Sequence, residues 1–153
     1  MSISLRDVHP SDLPYFFDYQ KDELAVQMTG FPPRERDSFD AHWEKILAND
    51  TIVIKTVLYE ERVAGSVLCF ENEGEKQIGY WLGREFWGKG IATEALRQFL
   101  GQVVNRPLIA HIARHNQASQ RVLEKNGFKV IGETMWSPPT GGEDVPEFKL
   151  KLE

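Results

Sequence analysis

The sequence predicts a mixed α/β domain in which helices flank a twisted, largely antiparallel sheet of about seven strands. Its 153 residues, 41% of them hydrophobic and 27% charged, suit one globular domain over residues 1–153 with a sizeable core. Strand-like segments follow one another through short turns in the first half, whereas strands and helices alternate in the second half. Strands joined by short turns pair in antiparallel fashion, which sets the main direction of the sheet.

The N-terminal segment predicts one strand followed by helices. Residues 2–8 alternate polar and apolar side chains, as a half-buried strand does. Residues 9–12 break this strand and supply capping oxygens, so residues 13–28 are predicted to form one or two short helices. Residues 31–33 interrupt them, and residues 37–48 are predicted to form another helix. The apolar side of that helix contains Phe39, Trp43, Ile46 and Leu47.

Three successive strands are predicted next. Residues 51–59 are rich in β-branched and aromatic side chains, which favour strands. A turn at residues 60–62 leads into a second strand over residues 63–71, and a turn at residues 73–75 leads into a third over residues 76–82. These two hairpins account for the antiparallel first half of the sheet.

The remaining segments are predicted to alternate between helix and strand. They are a loop over 83–90, a helix over 91–104, a strand over 107–113, a helix over 116–126, and strands over 128–136 and 145–152. Apolar residues recur with the helical period from Ile91 to Val103. Gly127 suits the left-handed cap that ends a helix, and residues 137–142 read as the loop between the last two strands.

The overall composition excludes several classes of protein. The net charge of −5, with histidine taken as neutral, argues against a general binder of nucleic acids or membrane surfaces, because both are anionic. The single cysteine, Cys69, excludes an internal disulfide and a cysteine-rich zinc site, and its apolar surroundings favour a buried, inert thiol. No window offers the roughly 20 apolar residues of a membrane span. We therefore expect a cytoplasmic protein without a metal site.

The loop over residues 83–90 carries the clearest chemical signal. It joins a predicted strand to a predicted helix, and Gly88 and Gly90 allow the backbone to approach a ligand closely. Free amides and the helix dipole at this point make an anion site that suits a pyrophosphate. The loop reads G-x-x-x-x-G-K-G, but Gly90 replaces the hydroxyl with which a nucleotide P-loop holds Mg²⁺. A P-loop-like nucleotide-binding protein and an ordinary tight turn remain alternatives.

Two motifs resemble the signatures of the GNAT acetyltransferases. Residues 86–96, FWGKGIATEAL, resemble the acetyl-CoA pyrophosphate loop and the following helix of that family, in particular of its RimJ/RimL-like branch. Residues 116–128 resemble the second signature, N-x-x-S-x-x-V-L-E-K-x-G-F. Trp87 stands where the loop often begins with Gln or Arg, which removes a polar side chain but leaves the backbone contacts. The resemblance implies a GNAT-fold enzyme that transfers acetyl from acetyl-CoA to a primary amine by direct attack in a ternary complex.

The resemblance also implies which residues hold acetyl-CoA. The backbone amides of residues 87–93 are expected to bind the pyrophosphate, and the backbone of residues 80–82 is expected to pair with the pantetheine arm like an added strand. The Leu82 amide is a candidate oxyanion donor in a slot between splayed strands. The expected cofactor-binding residues are Trp81, Leu82, Trp87, Gly88, Lys89, Gly90, Ile91, Ala92, Thr93, Asn116, Ser119, Arg121 and Lys125. Core packing is the alternative role for the tryptophans, and ordinary solvated charge is the alternative for the basic residues.

His111, Ser119 and Tyr80 are the candidate catalytic residues. Imidazole, with an ordinary pKa of about 6.5, suits removal of a proton from the amine. Ser119 lies one helical turn after Asn116, which is expected to bind the pantetheine region, and could protonate the leaving thiolate. Many GNAT enzymes use a tyrosine acid where this chain has Leu123, so Ser119, Tyr80 or water must serve. Purely structural roles, a half-exposed strand histidine and a polar residue at a helix start, remain open alternatives.

The acceptor amine is expected to bind near the N-terminal helices and the late loop, at residues 15–31, 39–43 and 137–144. Aromatic and acidic residues alternate over residues 15–23, and acidic side chains attract a cationic amine. The acceptor could be a protein N-terminus or a small amine. A non-catalytic acyl-CoA-binding module is the alternative function. The protein is expected to be a monomer or a homodimer.

The charge of the chain is unevenly distributed. Residues 1–80 carry a net −7, residues 81–135 carry +4, and residues 136–153 carry −2. Both acetyl-CoA motifs lie in the basic segment, and CoA is a polyanion. The sequence therefore predicts two ligands of opposite charge at different parts of the chain.

Overall fold

The computed structural model describes residues 2–138 and 142–153. Its strands are β1 (Ile3–Arg6), β2 (Val53–Tyr59), β3 (Arg62–Asn72), β4 (Glu75–Leu82), β5 (Leu108–Ala113), β6 (Lys129–Trp136) and β7 (Val145–Leu152). Its α-helices are α1 (Leu13–Lys21), α2 (Glu23–Thr29), α3 (Arg36–Ala48), α4 (Ile91–Gln102) and α5 (Gln117–Lys125). The strands form one sheet in the order β1-β2-β3-β4-β5-β7-β6. The predicted mixed α/β architecture is thus confirmed.

The observed elements follow the predicted order, with local differences. The first helical segment divides at Asp22, whose side chain accepts a hydrogen bond from the Ala25 amide at 3.0 Å and so caps α2. Helix α4 ends at Gln102, so Val104 lies outside it and is exposed. The placement of Leu47 on the buried side of α3 is wrong, since 42% of Leu47 is exposed. The predicted loop over 137–142 includes residues 139–141, which lie outside the described residues.

The sheet divides at the junction of β4 and β5. Strands β1 to β4 pair in antiparallel order, as do β5, β7 and β6. Strand β4 is parallel to β5, and within the described residues Gln77 and Ile109 form their single paired position. Beyond that pair β4 continues to Leu82 and β5 to Ala113 without a further bridge. The carboxyl ends of these two central strands therefore diverge and leave a gap.

Helices cover both faces of the sheet. Helix α4 packs on one face, where the main core contains Phe86, Ile91, Leu96, Phe99, Leu108, Leu123, Phe128 and Leu150. On the other face, α1 and α3 contribute Phe16, Phe39 and Trp43 to a second, aromatic cluster. No helix within residues 2–138 and 142–153 combines the length and the apolar character that crossing a membrane requires.

A buried carboxylate, Asp12, links the first two strands of the sheet. Asp12 is only 1% exposed and accepts hydrogen bonds from both terminal nitrogens of Arg6, at 2.7 and 2.9 Å. It also accepts bonds from the His9 amide at 2.9 Å and the Thr56 hydroxyl at 2.7 Å. Burial raises the pKa of Asp12, but these hydrogen bonds outweigh it and hold the value at about 2. Asp12 is therefore ionised at neutral pH and fully partnered.

Candidate active site

The loop between β4 and α4 is held in place by Trp87. A short 3-10 turn over Arg84–Phe86 buries the Phe86 ring. The indole of Trp87 donates to the Leu82 carbonyl at 3.0 Å, and its amide donates to the Arg84 carbonyl at 3.1 Å. This second bond differs from the expectation that the Trp87 amide is available to a pyrophosphate. The free amides begin one residue later.

The start of α4 presents a row of amides without protein acceptors. Among the described residues, none accepts a hydrogen bond from the amides of residues 88–93. Gly88 and Gly90 have φ values of +73° and +77°, which other residues rarely adopt, and a Cβ at either position would meet nothing within 4 Å. The Asn126 side chain donates to the Thr93 carbonyl at 3.2 Å and so ties the end of α5 to this turn. An open row of amides at the positive end of a helix is suited to an anion.

Replacing Gly90 with valine is expected to weaken CoA binding about tenfold, because a β-branched residue disfavours positive φ and rotates the neighbouring amides. Gly74 offers a matched control, since it has φ +82° and equally open surroundings but lies in the β3–β4 turn. Gly74→Val should cause similar backbone strain and leave CoA affinity unchanged. Isothermal titration with CoA measures both, and equal affinities for the two variants would contradict the site.

Backbone groups of β4 face the gap between β4 and β5. The Gly83 amide donates to the Ala64 carbonyl at 2.9 Å, toward β3. Because backbone groups alternate in direction along a strand, the amides of Leu82 and Tyr80 face away from β3, toward β5. Strand β5 has diverged at this level, so its backbone does not pair with them. The gap therefore leaves space for the expected strand-like contact with a pantetheine arm. It also leaves the Leu82 amide available as the expected oxyanion donor.

Two candidate catalytic hydroxyls meet on the α4 and α5 side of the gap. The Tyr80 and Ser119 hydroxyls lie 2.6 Å apart and share a hydrogen bond. Burial raises the pKa of Tyr80 to about 12, while the bond with Ser119 acts in the opposite direction. The phenol therefore keeps its proton at neutral pH. Asn116 caps α5 by accepting from the Ser119 amide at 3.2 Å, which leaves the amide nitrogen of its side chain for a ligand.

The third candidate, His111, lies on the opposite face of the sheet from this hydroxyl pair. It is directly opposite Lys149 on β7, on the face that α1 and α2 cover. Burial and the charge of Lys149 hold the pKa of His111 below its usual value, and Glu75 acts in the opposite direction. His111 is therefore neutral at pH 7 and able to accept a proton. The neighbouring His115 instead contacts the Gln27 carbonyl of α2 at 2.7 Å.

Glu147 on β7 is a polar residue of this region that the sequence does not single out. It is 7% exposed and its carboxylate lies 3.9 Å from Nδ1 of His111. Its surroundings in sequence, V-P-E-F-K, read as an ordinary strand with one polar face. Only the pairing of β5, β6 and β7 brings Glu147 next to His111.

Aromatic side chains lie beside the gap on the α1 and α2 face. The ring of Phe31, 43% exposed, is centred 4.5 Å from Trp136 and 6.4 Å from Trp81. The indole of Trp81 donates to the Tyr19 carbonyl of α1 at 3.2 Å. The segment after α2 and the end of β6 thus approach each other over the sheet, in the region where the sequence places the acceptor.

The remaining expected residues divide into exposed charges and core. Lys89, Arg121 and Lys125 are exposed, and the Lys89 ammonium lies 5.8 Å from the centre of the Tyr59 ring. Arg84, a further basic residue of the loop before α4, forms an ion pair with Asp22 at 3.0 Å. Leu123 is buried in the main core, so the position of the missing tyrosine acid is filled by packing.

Comparisons with known proteins agree with this geometry. A family model described as the acetyltransferase (GNAT) domain matches residues 2–129. YdaF of Bacillus subtilis (strain 168), a proposed ribosomal N-acetyltransferase, is 28% identical over 106 residues, which are 64% of this chain and 57% of that protein. The matched region thus spans less than two thirds of this curated relative.

Solved structures show the same fold at low sequence identity. Spermidine N-acetyltransferase from Vibrio cholerae, in complex with CoA and spermine, has a TM-score of 0.83 at 17% identity and covers 98% of this chain and 94% of its own. Phosphinothricin acetyltransferase from Sinorhizobium meliloti, in complex with acetyl-CoA, has a TM-score of 0.81 at 18% identity. The match covers 99% of this chain and 88% of that chain. These structures show the shared fold, and the family match over residues 2–129 establishes that this chain belongs to the GNAT acetyltransferase domain family.

Proposed function

We propose that this chain is a single-domain N-acetyltransferase that moves acetyl from acetyl-CoA to a primary amine by direct attack in a ternary complex. One observation carries the proposal: the free amides of residues 88–93 follow the diverging end of β4, the strand on which Tyr80 shares a hydrogen bond with Ser119. A pyrophosphate at the amides and a pantetheine arm along β4 would bring a thioester into that gap. Its cytoplasmic location stays a prediction.

The proposed reaction uses both faces of the sheet. The acceptor ammonium gives one proton to His111 on the α1 and α2 face, and the freed amine attacks the thioester carbonyl carbon. The Leu82 amide stabilises the oxyanion. The C–S bond then breaks, the thiolate takes a proton from Ser119, and the amide nitrogen loses its second proton. That second proton restores the hydroxyl pair, and the proton on His111 passes to solvent.

Two groups of acceptor are consistent with the proposed site. The distant relative YdaF favours a protein N-terminus and hence the RimJ/RimL-like branch, whereas the spermidine enzyme favours a small polycation. Both acceptors carry a primary or terminal amine that is charged at neutral pH. The partly exposed aromatic side chains beside the gap are the part of the chain that would distinguish them.

The decisive test is a thiol-release assay with acetyl-CoA and a panel of amines that includes spermidine, an aminoglycoside, phosphinothricin and a peptide with a free N-terminus. Acetyl-dependent thiol release with any of them supports the enzyme.

Leu123 favours the second candidate, a non-catalytic acyl-CoA-binding module, because it cannot donate a proton. That module would be stabilised by CoA in a thermal-shift assay but would release no thiol. Stabilisation by ATP-Mg²⁺ alone would overturn both.

Reversing the charges of Arg121 and Lys125 to glutamate is expected to lower CoA affinity about tenfold at low ionic strength and much less at high ionic strength, because salt screens exposed charges. Arg34 and Lys45 provide a control with the same change in net charge, since both are exposed on the acidic N-terminal half. Their reversal should leave CoA affinity unchanged. Equal losses in the two double variants would mean that only net charge matters.

A further inference from the structure

The buried carboxylate of Glu147 lies next to the candidate base, His111, on the face of the sheet that α1 and α2 cover. Glu147 pairs directly with Ala113 of β5 and with Thr134 of β6, so its side chain shares a face with those of His111 and Lys149. The Glu147 carboxylate is 3.9 Å from Nδ1 of His111, and the Thr134 hydroxyl is 3.5 Å from the same nitrogen. Three adjacent strands thus contribute one side chain each to a cluster.

The groups beside Nδ1 of His111 favour one tautomer of the ring. Burial raises the pKa of Glu147, and the neighbouring Thr134 acts in the opposite direction. The Glu147 carboxylate lies on the Nδ1 side of the His111 ring, so it favours a proton at that nitrogen. The favoured tautomer of His111 therefore carries its proton on Nδ1 and keeps the lone pair of Nε2 free.

The surroundings of Glu147 make a purely structural role costly. A buried carboxylate normally pairs with lysine or arginine, since unpaired burial of a charge is unfavourable. Within the described residues, no lysine or arginine pairs with Glu147; its basic neighbour is the neutral His111, and the nearby Lys149 instead binds Glu75 at 2.7 Å. A role in the site would explain an acid at this buried position.

The cluster of His111, Glu147 and Thr134 lies at the same height along the strands as the gap between β4 and β5. Trp81 on β4 and Ala113 on β5 each lie four residues beyond the paired position of Gln77 and Ile109, and Ala113 pairs with Glu147. Trp81, Ala113 and Glu147 therefore follow one another across the sheet at the diverging ends of β4 and β5.

We propose that Glu147 is a positioning residue that orients His111 and stabilises the imidazolium formed when Nε2 takes a proton from the acceptor ammonium. This inference rests on the proposed function. The proton moves from the ammonium nitrogen to Nε2 and then to solvent, and Glu147 stays ionised throughout. Lys149 opposes the developing positive charge, whereas Glu147 and Glu75 favour it.

The test compares Glu147→Gln with Glu147→Asp and with Glu133→Gln. Glu133 is an exposed acid of β6 on the other face, so its amide variant controls for loss of one charge from the hairpin. Glu147→Gln should lower kcat/KM about tenfold with the preferred amine and leave CoA affinity unchanged. The acid limb of the pH profile of kcat/KM should move to lower pH in this variant, because His111 loses an anionic neighbour and the pKa of its imidazolium falls. Glu147→Asp should restore part of the rate.

Proton NMR of the histidine rings gives a readout that needs no turnover. The titration midpoint of His111 should fall in Glu147→Gln and not in Glu133→Gln, with His42 as an internal reference and His111→Gln for assignment. If wild type releases thiol but Glu147→Gln changes neither rate nor midpoint, the positioning role is overturned. If the midpoint moves but wild type acetylates no amine, the proposed function fails, and the catalytic role of Glu147 fails with it.

Discussion

Replacing Asp12 with alanine is expected to lower the free energy of unfolding by about 3 kcal/mol at pH 7, because it leaves the Arg6 guanidinium and the Thr56 hydroxyl without their shared acceptor. Asp12 accepts four hydrogen bonds and is almost completely buried. Urea unfolding followed by tryptophan fluorescence measures the change. Asp7→Asn is the control, since the Asp7 side chain is 83% exposed in its pair with Lys55 and its loss should change stability little.

The same site makes a prediction about pH. The folded pKa of Asp12, about 2, lies below its ordinary value of 3.8, so ionisation stabilises the folded state above pH 4. That contribution, about 2 kcal/mol, is lost as pH falls from 4 toward 2. The stability difference between wild type and Asp12→Asn should therefore shrink over this range. A difference that stays constant from pH 7 to the acid end would contradict the assignment.

Removing the Ser119 hydroxyl, the Tyr80 hydroxyl or both is expected to lower kcat about 100-fold in every case. The two groups share one hydrogen bond of 2.6 Å and act on the same leaving thiolate, so the losses should not multiply. Ser119→Ala, Tyr80→Phe and the double variant form the cycle. Steady-state thiol release measures kcat, and calorimetry with CoA separates the loss in kcat from any part that Ser119 plays in cofactor binding.

Ser38→Ala provides the control for this cycle, because Ser38 is an exposed residue of α3 on the other face of the sheet. Its kcat should equal that of wild type. A double variant whose loss equals the product of the single losses would show that the two hydroxyls act separately. A wild-type rate in either single variant would remove that residue from the reaction.

The sequence predicts the elements well where one periodicity dominates. The helical spacing from Ile91 onward and the β-branched run of β2 leave little choice of structure. Leu47 shows the limit of such patterns, because periodicity indicates which side of α3 faces inward but not how far around the helix the buried side reaches. Phe39 and Trp43 lie in the aromatic cluster and Ile46 packs against it, whereas Leu47 is exposed.

In the candidate site, too, only the contacts between residues close in sequence can be predicted from the sequence. The glycine loop, Asn116 and Ser119 lie within contiguous motifs, so a local pattern is enough to predict their proximity to the start of a helix. The contact of Tyr80 with Ser119 joins residues 39 positions apart, and that of His111 with Glu147 depends on the order β5-β7-β6. No local signal encodes the strand order. Trp87 is an intermediate case, since its place in the motif is readable but the use of its amide within the turn is not.

The single paired position between β4 and β5 has a consequence for the cohesion of the fold. The hydrogen-bond ladders of β1–β4 and of β5–β7 are nearly separate, joined by Gln77 and Ile109 and by the ion pair of Lys149 with Glu75. Local opening between the two ladders should therefore need less free energy than global unfolding, and amide hydrogen exchange would report it. A cosubstrate seated in the gap would bond to one ladder and pack against the other. Occupancy of the site and cooperative unfolding of the whole sheet would then be linked.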